Sequence, residues 1–129
     1  MRLLLFFTFL VSGYTSTYAP GVFETVIRNR QTGLTRYDVG AIKSHIRGYI
    51  AVEDCSLINQ EVLACFGDSC ERLLIVDCAG VADGGRAWMQ RTGIVGEVDP
   101  GTFSKYKVPG EALEMNLYLV RTIPRYKFE

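Results

Sequence analysis

Glu61-Val62-Leu63-Ala64-Cys65-Phe66-Gly67-Asp68-Ser69-Cys70-Glu71-Arg72-Leu73-Leu74-Ile75-Val76-Asp77-Cys78 is the stretch that decides the fold. Glu61 to Cys65 is rich in strand-forming residues. Phe66-Gly67-Asp68-Ser69 reads as a hairpin loop, because Gly and Asp accept turn geometry. Glu71 to Asp77 is the returning strand. Its continuous run Leu73 to Val76 is the pattern of a strand buried on both faces. A Cys65–Cys70 disulfide would close this hairpin.

Outward from the hairpin, Cys55 and Cys78 complete a set of four cysteines. An even number in one short stretch reads as two disulfides formed in an oxidising compartment. Four cysteines allow three pairings. The pairing adopted is nested, Cys65–Cys70 inside Cys55–Cys78. A zinc site would require CxxC-like ligand pairs, which spacings of nine, four and seven intervening residues do not supply. No metal is expected, and nothing in the sequence calls for a cofactor.

Short extended segments lie on either side. Tyr14 to Tyr18 and Gly48 to Val52 read as strands, Gly93 to Val98 as extended, and Glu114 to Arg121 as the last strand. Val22 to Ile27 reads as a short strand or a turn of helix. Arg28 to Gly40 reads as loop, with one helical turn at Ala41 to His45. Arg86 to Arg91 can form a short helix bearing Trp88 and Met89. Thr102 is a candidate cap for another at Phe103 to Tyr106. About six strands with one or two short helices suggest a small all-β barrel, whose closure removes exposed edges.

The 129 residues fit one domain, and 48% hydrophobic composition is enough for a core. Lys plus Arg equals Asp plus Glu, 14 against 14, so no basic excess points to nucleic acid. Met1-Arg2 followed by the apolar run Leu3 to Val11 has the form of a secretory signal, and is too short to span a membrane. Cleavage after Gly13 or after Ala19 fits small-residue rules. The plain alternative is a buried N-terminal strand of a cytosolic protein. The division adopted is residues 1–13 as signal segment and 14–129 as one barrel domain. The expected product is a secreted, extracellular or periplasmic monomer with no membrane span.

Gly13-Tyr14-Thr15-Ser16-Thr17-Tyr18-Ala19-Pro20-Gly21 resembles the Gly-x-Ala-Ser-x-Tyr-x-Pro-Gly opening strand of RlpA-like (rare lipoprotein A and expansin type) double-psi β-barrels. This favours cleavage at Gly13, since a cut after Ala19 would delete that strand. Ile50-Ala51-Val52 with Cys55 to Val62 is similar to the family's Ala-Val … Leu-Gly-x-x-Val segment, with Asn59 in place of Gly. Asn tolerates a left-handed backbone nearly as Gly does. Leu74 to Gly80 resembles Val-x-Val-x-Asp-x-Gly, and Val98-Asp99 with Phe103 resembles Ile-Asp-Leu-Ser … Ala-Phe. The likeness covers Gly13 to Val120, with Arg28 to Arg47 unmatched. The loop after Asp77 lacks Arg-Gly-Pro, and Pro-Gly-Thr follows Asp99 in place of Leu-Ser.

The resemblance implies a six-stranded double-psi barrel beneath a groove for cell-wall polysaccharide: peptidoglycan, chitin or cellulose. It implies binding, cleavage or loosening of that glycan, as in lytic transglycosylases, endoglucanases and expansins. Asp99 takes the place of the family's acid, which must stay protonated to serve a leaving oxygen. An inverting hydrolase needs a second carboxylate, for which Asp77 and Asp83 are the candidates. Each has a structural alternative: Asp99 as a turn residue capping a helix, Asp77 in an Asx-turn, Asp83 in a plain Asp-Gly-Gly turn. Tyr18, Tyr49, Trp88 and Tyr106 are candidates for stacking on sugar rings, although a lone Trp more often sits in a core. Arg86 is a candidate for contacting an anionic ligand. A lone His45 supports no Ser-His-Asp or Cys-His system. A non-enzymatic barrel that binds a protein, as effector, inhibitor or surface component, is the second reading.

Overall fold

A computed structural model describes residues 3–29, 46–79 and 84–124, with side chains over 5–26, 46–79 and 84–121. Its elements are β1 (Leu3–Thr17), α1 (Val22–Asn29), β2 (Gly48–Val52), β3 (Glu61–Phe66), β4 (Ser69–Cys78), α2 (Gly85–Thr92), β5 (Ile94–Val98), α3 (Pro100–Tyr106) and β6 (Leu113–Pro124). The strands close into a mixed barrel in the order β1-β5-β2-β4-β3-β6. Two neighbouring pairs are parallel, β1 with β5 and β2 with β4; the rest are antiparallel. The chain is therefore a small all-β barrel. The expected helical turn at Ala41 to His45 lies outside the described residues.

The deciding hairpin forms as read. Glu61↔Leu74 through Phe66↔Ser69 are paired around Gly67-Asp68, with Gly67 at φ 64°. A Gly at positive φ in the first position of a two-residue turn suits the right-handed twist of the strands it joins. Both nested disulfides are present: Cys65–Cys70 across the hairpin, and Cys55–Cys78 tying the 3₁₀ turn at Cys55–Leu57 to the end of β4.

The apolar run of β4 is buried on both faces. Leu73 and Ile75 join Ile50, Val62, Val98, Met115 and Leu117 inside the barrel. Leu74 and Val76 join Phe23 and Ala51 in a second layer outside it. Phe23 is only 1% exposed, so α1 covers this wall of the barrel. The run thus holds two cores together, each residue pair alternating between them as a strand's period of two requires.

Two local devices shape the outer wall. Asn59 has φ 79°, the one non-glycine residue at positive φ among those described, as its place in the turn before β3 requires. Between Ile50 and Ala51 the β2–β4 register shifts: Ile50 pairs with Ile75, but Ala51 pairs with Asp77. Val76 is skipped, the signature of a β-bulge.

Candidate functional site

The bulge brings one end of β4 level with β5. Ala51 pairs with Asp77 on one side and with Glu97 on the other, and Glu97 in turn pairs with Ser16 of β1. Asp77 and Glu97 therefore stand two strands apart, roughly 10 Å between backbones. Burial raises the Glu97 carboxyl above its ordinary value, and the charge of Asp77 adds to that rise. Tyr18, just past β1, donates its hydroxyl to Oδ2 of Asp77 at 2.8 Å. Its backbone N–H is held by the carbonyl of Val98. One face of the Tyr18 ring stacks on Phe23, centroids 4.3 Å apart.

Asp99 terminates β5 and starts α3. It is the N-cap: Oδ2 accepts from the Thr102 N–H at 3.0 Å, and Oδ1 accepts from the Thr102 hydroxyl at 2.9 Å. Oδ1 also accepts from the Tyr49 N–H at 2.9 Å. Pro100 occupies the first turn, where a missing N–H costs nothing. Gly48 makes this possible, since a Cβ there would collide with Oδ1 of Asp99. The cap is Asp99 and not Thr102: a carboxylate accepts several bonds at once, whereas Thr102 serves as a donor to it. The Tyr49 phenol is pushed up by burial, with the charges of Glu24 and Asp99 adding to the effect. Tyr18, Tyr49, Asp77 and Glu97 thus gather on the wall beside Phe23 of α1, whereas the Asp99 carboxylate lies on the Gly48 side of β2 and reaches this wall only through the Tyr49 N–H.

The other expected residues lie elsewhere. Arg86 and Trp88 are carried by α2, which ends at Gly93 in a left-handed cap. An Arg86 Nη2 group donates to the Glu53 carbonyl at 3.3 Å, and its Nε lies 3.8 Å from the Glu53 carboxylate. That places Arg86 at a separate cavity of about 440 Å³, walled by Leu10, Val52, Leu57 and Leu117. Trp88 is half-buried. Tyr106 stacks on Phe66 at 4.5 Å and donates to Glu71 at 2.6 Å, so one ring face is already taken. Asp83 and His45 lie outside the described residues. Among the described residues, no three His, Cys, Asp or Glu side chains are placed to hold a metal ion.

Glu97 is the residue that the sequence reading misses. It belongs to no quoted motif. The signal that could have found it is alternation: buried Gly96 and Val98 flank it, so it faces away from the core they share. Its neighbour Asp77 could not be found that way, because the bulge alone sets their common row. No helix among the described residues is long and apolar enough to cross a membrane. The chain matches no protein-family model, no curated protein and no solved structure.

Proposed function

We propose that this is a secreted double-psi β-barrel that binds cell-wall polysaccharide on the wall formed by Tyr18, Asp77 and Glu97, and that Asp99 supports this wall without acting as an acid. The observation that carries the reading is the 2.8 Å bond from Tyr18 to Asp77. It joins a candidate for stacking on sugar, from the opening-strand segment of the resemblance, to a candidate carboxylate from its Val-x-Val-x-Asp-x-Gly segment. The closed mixed barrel with two parallel pairs supports the double-psi reading. Two disulfides support folding in an oxidising compartment.

Binding is favoured over cleavage because both Asp99 oxygens are engaged inside the chain. A general acid must aim an oxygen at the leaving group. Carboxylates and a phenol on one wall suit hydrogen bonding to sugar hydroxyls.

The test is incubation of the oxidised, secreted protein with insoluble peptidoglycan, chitin and cellulose, measuring sedimentation and released sugar. Sedimentation with at least one glycan and no release is expected. Asp77→Asn should weaken binding about tenfold, the loss of about 1.4 kcal/mol. Sugar release that disappears in Asp99→Asn would replace binding with catalysis. Absence of sedimentation with all three would favour the protein-binding reading. That second reading gains support where residues 1–13 are retained: Leu5, Phe6, Phe7, Phe9 and Val11 form an exposed apolar stretch, and such patches mark contact surfaces.

A further inference from the structure

We propose that the cavity beneath Arg86 binds a zwitterionic amino acid with a large apolar side chain, its carboxylate on Arg86 and its ammonium on Asp54 and Glu53. This site is separate from the wall of Tyr18, Asp77 and Glu97, and it does not rest on the glycan reading.

The floor of the cavity is the barrel core. Val52 and Leu117 are buried members of the interior cluster, and Leu57 and Val95 pack against it. The volume of about 440 Å³ falls within the roughly 300–1,000 Å³ of small-molecule sites, which combine an apolar lining with a few polar groups. Leu10 and Val11 close one side. The four floor residues and all three charged residues lie beyond residue 13. Loss of a leader would open that side and leave both groups in the chain.

The rim carries one cation and two carboxylates: Arg86, Glu53 and Asp54. The chain leaves the guanidinium largely unspent. Its Nη2 group donates to the Glu53 carbonyl at 3.3 Å, whereas Nε is buried with no hydrogen-bond partner among the described residues. The Glu53 carboxylate does not serve that Nε. Its Oε1 lies 3.8 Å away, beyond hydrogen-bond length, and accepts instead from Gln90 Nε2 at 2.7 Å. Asp54 is held by one oxygen only: Oδ1 accepts from the Ser56 hydroxyl at 2.7 Å and from the Ser56 N–H at 2.9 Å. The same two bonds, with the Arg86 charge nearby, hold the Asp54 carboxyl below its ordinary value, so it stays ionised.

A ligand that answers all three charges brings an acceptor pair to Arg86, an ammonium to the carboxylates and an apolar body to the floor. A planar carboxylate matches a guanidinium through two parallel bonds. A simple carboxylic acid would bring a third anion beside Glu53 and Asp54. A simple amine would leave Arg86 without an acceptor. A sugar has no apolar body to set on Val52 and Leu117.

The experiment is an NMR titration of the oxidised protein, its N-terminus fixed by intact mass, with L-phenylalanine. Saturable shifts are expected at Glu53, Asp54, Val95 and Leu117, with Kd about 1 mM or tighter, and none at Tyr18 or Glu97. Phenylpropionate lacks the ammonium and phenethylamine lacks the carboxylate. Each should bind at least about tenfold more weakly than phenylalanine. Arg86→Gln should weaken phenylalanine by at least about tenfold and leave phenethylamine unchanged, a selectivity that a merely structural arginine would not produce. Absence of shifts up to about 10 mM overturns the site. Equal affinity for the three ligands overturns the zwitterion, and tighter binding of phenylpropionate replaces it with a carboxylic acid. An Arg86→Gln protein that loses all three alike overturns the role of Arg86. Shifts confined to Tyr18 and Glu97 overturn the location. Glycan sedimentation is scored separately, so failure of the glycan reading imitates none of these outcomes.

Discussion

The two faces of β4 are equally dry and chemically unlike. Inside the barrel, Leu73 and Ile75 belong to a cluster of buried apolar side chains edged by Phe103 and Tyr106. Outside, Leu74 and Val76 pack with Phe23 and Ala51, and that layer is edged by Tyr18 and Tyr49. Asp77 and Glu97 border the same wall through Ala51. The outer wall combines burial with carboxyl groups, and partial burial is what moves a carboxyl from its ordinary range. At this covered wall, burial raises the Glu97 carboxyl above its ordinary value.

The sharpest way to break the comparison is to remove one large side chain from each layer. Ile75→Ala should cost about 2–5 kcal/mol and Phe23→Ala about 3–5 kcal/mol in urea unfolding. Only Phe23→Ala should also alter the outer site, because Tyr18 loses its stacking partner. A cost below about 1 kcal/mol for Phe23→Ala would make α1 a detachable cover, and the outer layer no core at all.

A smaller effect is expected at the cap. Gly48→Ala forces the Asp99 carboxylate away from Thr102 and Tyr49, and should cost about 1–3 kcal/mol, the range for a lost cap and stranded donors. Asp99→Asn should cost less, about 1 kcal/mol, because the amide oxygen still caps. Equal glycan binding by wild type and Asp99→Asn in the same preparation would assign Asp99 to structure.

The smallest effect concerns pH. Folding raises the Glu97 carboxyl, by burial first and by Asp77 second. The folded state then holds this proton more tightly than the unfolded chain. Its contribution is fully present below the ordinary glutamate value of 4.5 and is lost as pH rises through the folded value. Glu97→Gln should therefore flatten the fall in stability above pH 4.5 and leave the protein slightly more stable at neutral pH. Parallel stability–pH curves for the two proteins would remove Glu97 from the buried wall.

The strands around the hairpin were legible because their signals are local. Alternation in Met115, Leu117 and Leu119 marks the inward face of β6, and all three are buried. Gly67-Asp68 marks the turn, and cysteine spacing suited the nested pairing. Val22 to Ile27 reads as either strand or helix, since four of its six residues are β-branched while its apolar positions also fit a helical face. Its identity is settled by Phe23, which has a wall to cover. Thr102 looked like a cap because Ser and Thr are good caps. Asp99 won because Gly48 leaves space for its carboxylate beside two backbone donors, a contact fifty residues away in sequence.

By itself, the sequence pointed to an all-β barrel, the hairpin and two disulfides, and to Tyr18 and Asp77 as candidates, while leaving the cysteine pairing open among three. Those follow from periodicity, turn chemistry and motif order, which act between near neighbours. Only the tertiary structure decided that Glu97 shares a row with Asp77, that Asp99 is spent on a cap, and that Arg86 lies apart from both. Each of these depends on register between strands distant in the chain. A single skipped residue, Val76, is enough to change which side chains stand level; no local pattern records it, because a bulge is fixed by pairing on both edges of the strand at once.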